Sequence, residues 1–266
     1  MKDRRPGPSV RVRVHEGDVA REDRVITEEP LEIRLQWPGV PARRVWVTMR
    51  TPGHDFELAA GWVVHEGIAP TVHGVAYCTD TSLAPEQEFN VVTVTLDGPP
   101  AALPHQHDAL SAGSSACGVC GSDSVSSALE TVGRRWEGPL PALDVVRRLP
   151  DALRPQQKLF DRTGGVHAAG LATADGEVLV VREDVGRHNA VDKVTGARVL
   201  AGLPTAEACL VVSGRVGFEL VQKAVTAGIG SMVAVGAPTS LAVALAERAG
   251  LVLHGFTSAQ RSVRYT

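Results

Sequence analysis

Ser114-Ser115-Ala116-Cys117-Gly118-Val119-Cys120-Gly121 sets two thiols two residues apart in a run of Ser and Gly, and no other stretch of the chain carries so much reactive potential. In a Cys-x-x-Cys pair the thiolate of one residue is stabilised by the other's S–H or by backbone N–H groups. Gly118 and Gly121 permit positive φ, which lets a loop present its sulfurs instead of burying them. Downstream, Ser122 to Glu130 reads as a helix start with Ser or Asp as N-cap. A sulfur placed just before it meets the positive end of that helix and ionises more readily. The pair can also be half of a structural zinc site, a thioredoxin-type redox pair, or two incidental thiols. Zinc needs four ligands, and the remaining cysteines, Cys78 and Cys209, are isolated in apolar or strand-like surroundings. A thioredoxin pair follows a strand in an early βα unit, whereas Leu103 to Ser115 has no strand pattern. Taken alone, the pattern leaves sulfur or redox chemistry open beside a structural or metal role.

The elements that must position these thiols come from a chain of 266 residues, enough for one large domain or two modest ones. Hydrophobic residues make up 44% and charged residues 21%, an ordinary globular balance. A formal net charge of −3 gives no basic field, which argues against nucleic-acid binding. No apolar run is long enough to span a bilayer, so no membrane partner is expected. Residues 1–24 begin with a charged, Pro/Gly-rich segment lacking an apolar core, and read as a flexible tail instead of a signal peptide. Four cysteines with one close pair, and no export signal, fit the cytoplasm.

Residues 25–100 read as a small strand-rich α+β subdomain. Leu31 to Leu35 and Val45 to Arg50 alternate, Phe56 to Val64 forms a short helix, and Val72 to Thr79 with Phe89 to Leu96 completes an antiparallel group. Residues 101–124 form a mobile cysteine loop, since long interior loops are functional or mobile. Residues 125–266 become α/β after a helix over Leu140 to Leu153. Strands at Val166 to Ala172, Glu177 to Val181, Cys209 to Val212, Met232 to Val235 and Leu251 to Phe256 alternate with helices at Gly186 to Leu200, Phe218 to Ala227 and Ser240 to Ala249. Near-continuous apolar strands between amphipathic helices predict a three-layer α/β/α domain with a buried mixed sheet.

In such a sheet a ligand lies beyond the carboxyl ends of the strands. Three segments follow strands there. Arg182 to Lys193 places Asp184, His188 and Asp192 along one helix face with Arg187 beside it, and so many ionisable groups around Gly186 point to function. For Lys193 itself a solvated helix start is the simpler account. Ser213-Gly214-Arg215 at a strand-to-helix turn offers free N–H groups and a guanidinium to a phosphate or pyrophosphate. Thr239 or Ser240, after Pro238, caps a helix, and the other hydroxyl is free for a ligand.

Glu28 to Ile33, Met49-Arg50-Thr51-Pro52-Gly53, Cys117 to Gly121, Thr163-Gly164-Gly165-Val166-His167, Arg182 to Lys193, Ser213 to Val216 and Ala237 to Ala242 resemble, in collinear order over residues 27–266, the FdhD/NarQ family of formate dehydrogenase accessory sulfurtransferases. The resemblance implies a cytidine-deaminase-like fold and a homodimer. It implies sulfur accepted as a persulfide from a cysteine desulfurase and delivered to the molybdenum cofactor, bis-molybdopterin guanine dinucleotide, before insertion into formate dehydrogenase. The persulfide carrier matches Cys117, with Cys120 assisting. A cofactor segment falls at Phe256, Thr257, Ser258, Ala259, Gln260 and Arg261. Pyrophosphates of the two guanine nucleotides suit Arg187, Arg215 and Arg261 with helix N-termini. Gly217 stands where the family commonly has Ser, so that hydroxyl is not essential here.

Three rival classes remain, one of them a dithiol oxidoreductase that would cycle a Cys117–Cys120 disulfide and lose activity about equally on mutation of either cysteine. A zinc-dependent nucleoside deaminase needs His-x-Glu and Pro-Cys-x-x-Cys; the chain has no His-x-Glu, and Ala116 replaces the Pro, so no zinc is expected. A non-catalytic chaperone would hold the cofactor and dock on formate dehydrogenase without needing Cys117.

Overall fold

The computed structural model describes residues 6–79, 87–101 and 135–266. Contrary to the flexible tail expected over residues 1–24, the chain opens with a hairpin, β1 (Ser9–Glu16) and β2 (Val19–Ile26), paired antiparallel from Ser9 opposite Ile26 to Glu16 opposite Val19. The alternation of Val10, Val12 and Val14, followed by Gly17 at φ 60°, is a strand-and-turn signal that the charged first residues obscure.

β3 (Glu29–Trp37) and β4 (Val40–Arg50) form a second hairpin, closed by Gly39 at φ 79°. α1 (Asp55–His65) follows, then β5 (Gly74–Tyr77) and β6 (Val91–Thr95). The sheet order is β4-β3-β6-β5. The expected antiparallel group is therefore mixed: β6 adds to the free edge of β3 and runs parallel to it. Alternation along β3 turns Leu31, Ile33 and Leu35 to one face, where they meet Val92 and Val94 and, from α1, Leu58, Ala59, Trp62 and Val63.

From residue 135 onward the described residues form α2 (Leu143–Leu153), a turn of 3-10 helix (Arg154–Gln156), α3 (Lys158–Thr163), β7 (His167–Ala172), β8 (Val178–Asp184), α4 (Arg187–Leu200), β9 (Cys209–Val212), α5 (Phe218–Ala227), β10 (Ser231–Ala234), α6 (Ser240–Ala249), β11 (Val252–Ser258) and β12 (Arg261–Arg264). Six strands lie in the order β12-β11-β10-β9-β7-β8, with β9, β10 and β11 parallel and β7, β8 and β12 each antiparallel to a neighbour. Leu210, Val212, Met232 and Ala234 face α4, α5 and α6, while Cys209, Val211 and Val233 meet Val146, Leu149 and Leu153 of α2. Helices thus cover both faces, which is the three-layer α/β/α arrangement expected, preceded by a small α+β unit. Among the described residues no helix is long and apolar enough to cross a membrane.

β8 continues to Asp184, two residues short of the helix. Asp184, His188 and Asp192 are consequently not on one helical face; only His188 and Asp192 share α4. The small unit is joined to the larger one mainly by α1 lying on α4, and here the helices touch backbone to backbone. A Cβ built on Gly61 would stand 1.9 Å from the carbonyl oxygen of Asp192, and one on Gly196 would stand 1.7 Å from that of Glu57. Close approach of helix axes requires residues without side chains at the crossing.

Gly196→Ala should therefore destabilise the protein by about 3 kcal/mol or more in urea unfolding, despite Ala's better helix propensity, because backbone cannot rotate out of the way. Gly217→Ser, whose Cβ would meet no atom within 4 Å, should unfold like the wild type to within about 0.5 kcal/mol. Equal stability of the two variants would disprove the close-packing account.

Candidate functional site at the carboxyl edge of the six-stranded sheet

β9, β10 and β11 end at one edge of the sheet, and β8 ends there too because β7 between them runs in the opposite sense. For the same reason the first residue of β7, His167, lies at this edge. The turns that leave it are locked together by backbone. Gly236 N donates to the Gly214 carbonyl at 3.1 Å, Val216 N to Ala237 O at 3.0 Å, Thr239 N to Val216 O at 2.9 Å, and Phe256 N to Gly236 O at 3.1 Å. A Cβ on Gly236 would fall 2.9 Å from the backbone of Gly214 and Arg215, so the turn after β10 stacks directly on the turn after β9.

These turns gather the predicted anion contacts. Arg187 and His188 form the first turn of α4, and Ser213, Gly214 and Arg215 lead into α5. His188 Nε2 approaches Glu219 Oε2 of the first turn of α5 at 2.9 Å, linking the two helix starts. His167 is half-buried, its ring against Gly214. Burial lowers its pKa, and Arg187, His188 and Arg215 lower it further, with Asp184 opposing. Uncapped helix N-termini beside arginines favour a phosphate. His167 is not among the residues expected to bind a ligand, since those follow strands and His167 begins one.

The hydroxyls are divided by the geometry. Ser213 Oγ accepts from Ala168 N at 2.9 Å and so closes the β7–β9 ladder. Thr239 Oγ1 accepts from Ala242 N at 3.3 Å as the N-cap of α6, which leaves Ser240, exposed, as the hydroxyl free for a ligand.

Next to them, Phe256 is 44% exposed and held at φ 50°, a left-handed conformation that costs a non-glycine residue about 1–2 kcal/mol. The Arg261 guanidinium lies over its ring at 5.4 Å from the centroid. Ser258, Ala259 and Gln260 are exposed in the turn between them. Thr257, included in the predicted cofactor segment, is instead 2% exposed and faces inward: its hydroxyl pairs with Ser262 Oγ at 3.1 Å, which contacts His254 Nδ1 at 3.2 Å. Phe256 turned out and Thr257 turned in lie within the stretch where β11 and β12 shift register, between Gly255 and Ser258.

Behind this edge the acidic residues of the Arg182 to Lys193 segment are structural. Asp184 Oδ1 accepts from Gly186 N at 2.8 Å and Asn189 Nδ2 at 3.1 Å, and Oδ2 from Thr51 N at 3.1 Å and Lys193 Nζ at 2.6 Å. Lys193, expected to be solvated, is 1% exposed and also donates to the carbonyls of Thr51 at 3.0 Å and Glu183 at 3.4 Å. The Glu183 carboxylate accepts the Leu159 and Phe160 N–H groups at the start of α3, both at 2.8 Å. Asp192, wholly buried between His65 and Lys223, would be raised by burial, but those two partners hold it ionised and below the usual range.

Cys117 and Cys120 lie outside the described residues. Of the cysteines described, Cys209 is fully buried, which pushes its thiol up to about 12 and removes it as a nucleophile. Cys78 is partly exposed, with Arg34 Nη1 at 3.7 Å from its sulfur. Among the described residues no three His, Cys, Asp or Glu side chains are grouped as metal ligands.

The profile of the FdhD/NarQ family matches residues 26–266. The chain is 46% identical over 254 residues to the sulfur carrier protein FdhD of Corynebacterium efficiens, covering 92% of this chain and 90% of the relative. It is 44% identical over 260 residues to the protein of the same name from Mycobacterium tuberculosis, covering 93% and 91%. The crystal structure of a Desulfotalea psychrophila protein put forward as a formate dehydrogenase accessory protein shares the fold with a TM-score of 0.73, at 22% identity over 97% of this chain and 96% of that one.

Removing the counterion of the buried carboxylate tests the supporting shell. Lys193→Met should cost about 3–5 kcal/mol in chemical denaturation, because Asp184 is left charged and buried. Arg187→Ala, at the edge itself, should stay within about 1 kcal/mol of the wild type. A solvated Lys193 would make its loss as mild as that of Arg187.

Proposed function

The chain belongs to the FdhD/NarQ family, and on that premise we propose that it is a cytoplasmic, homodimeric sulfur carrier that accepts a persulfide sulfur from a cysteine desulfurase and delivers it to bis-molybdopterin guanine dinucleotide destined for formate dehydrogenase. The observation that carries the reading is 44–46% identity, over about nine-tenths of both chains, to relatives named sulfur carrier proteins. Cys117 is the carrier, and Cys120 assists.

The first step is sulfane-sulfur exchange. The Cys117 thiolate attacks the outer sulfur of the desulfurase persulfide, the S–S bond of the donor breaks, and the donor cysteine leaves as a thiolate. Cys117 then holds the outer sulfur, with no net oxidation. Cys209 cannot substitute, since a thiol at about 12 is not ionised at neutral pH. The second partner is the molybdenum cofactor as substrate. The carboxyl edge fits its nucleotide portions: Arg187, Arg215 and the starts of α4 and α5 face the charge of a diphosphate. The exposed Phe256 ring, backed by Arg261, provides a face on which guanine stacks. The strained φ of Phe256 supports a binding role, because folding energy is spent to display the ring.

Incubation of the purified chain with a cysteine desulfurase and cysteine should add one sulfur to the peptide containing Cys117, read by mass spectrometry. Cys117→Ala should abolish both that adduct and the rescue of formate dehydrogenase in cells lacking the native carrier; rescue by Cys117→Ala would instead favour the non-catalytic chaperone. Phe256→Ala should weaken GDP binding by about 5- to 100-fold, the worth of one stacked base, without preventing sulfur loading of Cys117. Unchanged GDP affinity would remove Phe256 from the site.

A further inference from the structure

His167 begins a strand at the carboxyl edge instead of following one, as Arg261 also does at the start of β12. It pairs in register with Asp184 across β7 and β8, and its ring lies against the turn after β9, where a Cβ on Gly214 would stand 3.2 Å from Nδ1. A side chain at 214 would press on the imidazole and require it to shift by a few tenths of an ångström. From this position it is within electrostatic reach of Arg187 and His188 at the start of α4 and of Arg215 in the turn leading to α5. We propose that His167 is a further ligand-binding residue of this edge, an imidazole that hydrogen-bonds a phosphate oxygen of the nucleotide and takes up a proton as the nucleotide binds. The inference rests on the reading that this edge receives the nucleotide portion of the cofactor.

The charges around the ring set the direction. Arg187 and His188 face it from α4, Arg215 from the turn after β9, and Asp184 from β8. Three cationic or protonatable groups outweigh one acid, and that acid is already engaged by Lys193, Thr51, Gly186 and Asn189. Burial and these cations keep the free imidazole neutral at pH 7. A diphosphate entering the same space reverses the balance and favours the imidazolium. Affinity therefore rises as pH falls, and the site releases a proton when the nucleotide is handed on. Neutral His167 beside two arginines moderates the grip on a cargo that must leave; charged His167 completes it.

GDP binding to the full chain, followed by titration calorimetry at pH 8 and pH 6 in buffers of differing ionisation enthalpy, tests this directly. Wild type should take up protons on binding and tighten by about 3- to 10-fold from pH 8 to pH 6 relative to His167→Gln, which hydrogen-bonds but cannot titrate. Titration of the nucleotide's own phosphates is common to every protein compared and cancels in that ratio. His188→Gln should keep the proton uptake. His167→Asn serves as a second variant should the first fold poorly, and thermal unfolding of each checks that it is native. Uptake that persists in the His167 variants, or that vanishes only in His188→Gln, overturns the proposal while leaving the nucleotide site in place. If wild type binds GDP at neither pH, the nucleotide reading of the edge fails, and this inference fails with it.

Discussion

Asp184 is fully buried, and both oxygens of its carboxylate have two donors: Gly186 and Asn189 on one, Thr51 and Lys193 on the other. A charge removed from water is tolerated only with such complete coordination. Because the donors come from the β4–α1 connection as well as from α4, satisfying this one group joins the small unit to the large one. The same contacts shape the turn at Gly186, and so fix the direction in which Arg187 and His188 leave β8. Asn189 extends the link by donating to the Met49 carbonyl at 2.8 Å.

The neighbouring contacts are built on the same logic of closeness. Gly61 and Gly196 let α1 and α4 meet at backbone distance, and the Arg182–Glu57 pair closes one side of that crossing with hydrogen bonds of 2.5 and 2.7 Å. Burial alone would raise the Glu57 carboxyl, yet Arg182 and His54 bring it down to about 2. Its stabilisation is thus present above the ordinary carboxylate range and is lost only as pH falls through about 2. Polar groups at this junction are numerous, and they orient the helices more than they add stability, since hydrophobic contact between α1 and α4 is limited by the glycines.

A rigid scaffold behind a polar edge suits a carrier. Cations and helix starts lie open at the edge, and Phe256 offers one exposed aromatic face. The polar ladder Thr257, Ser262 and His254 lies beneath the β11–β12 turn and anchors the residue next to the left-handed Phe256, so the segment alternates between exposed and buried positions.

The sequence by itself determined the elements and much of the edge. Alternation along Leu31 to Leu35, the apolar strands from Cys209 and Met232, and helix starts at Phe218 and Ser240 are local periodicities, and local sterics set them. The same rule was available for Val10, Val12 and Val14 and was overridden by the charged start of the chain. Placing Arg187, Ser213, Arg215 and Ser240 after strands was enough to collect them at one edge, because parallel strands all end on the same side. Tertiary structure alone decided the rest. Lys193 is of a type usually solvated, yet Asp184, the Glu183 carbonyl and the Thr51 carbonyl, 142 residues away, hold its ammonium in the interior. Thr257, expected beside Phe256 in the cofactor segment, is buried while Phe256 is exposed, in the stretch where β11 and β12 shift register. His167 reaches the edge because β7 runs against its neighbours, and strand direction is set by pairing between distant segments, which no window of sequence contains.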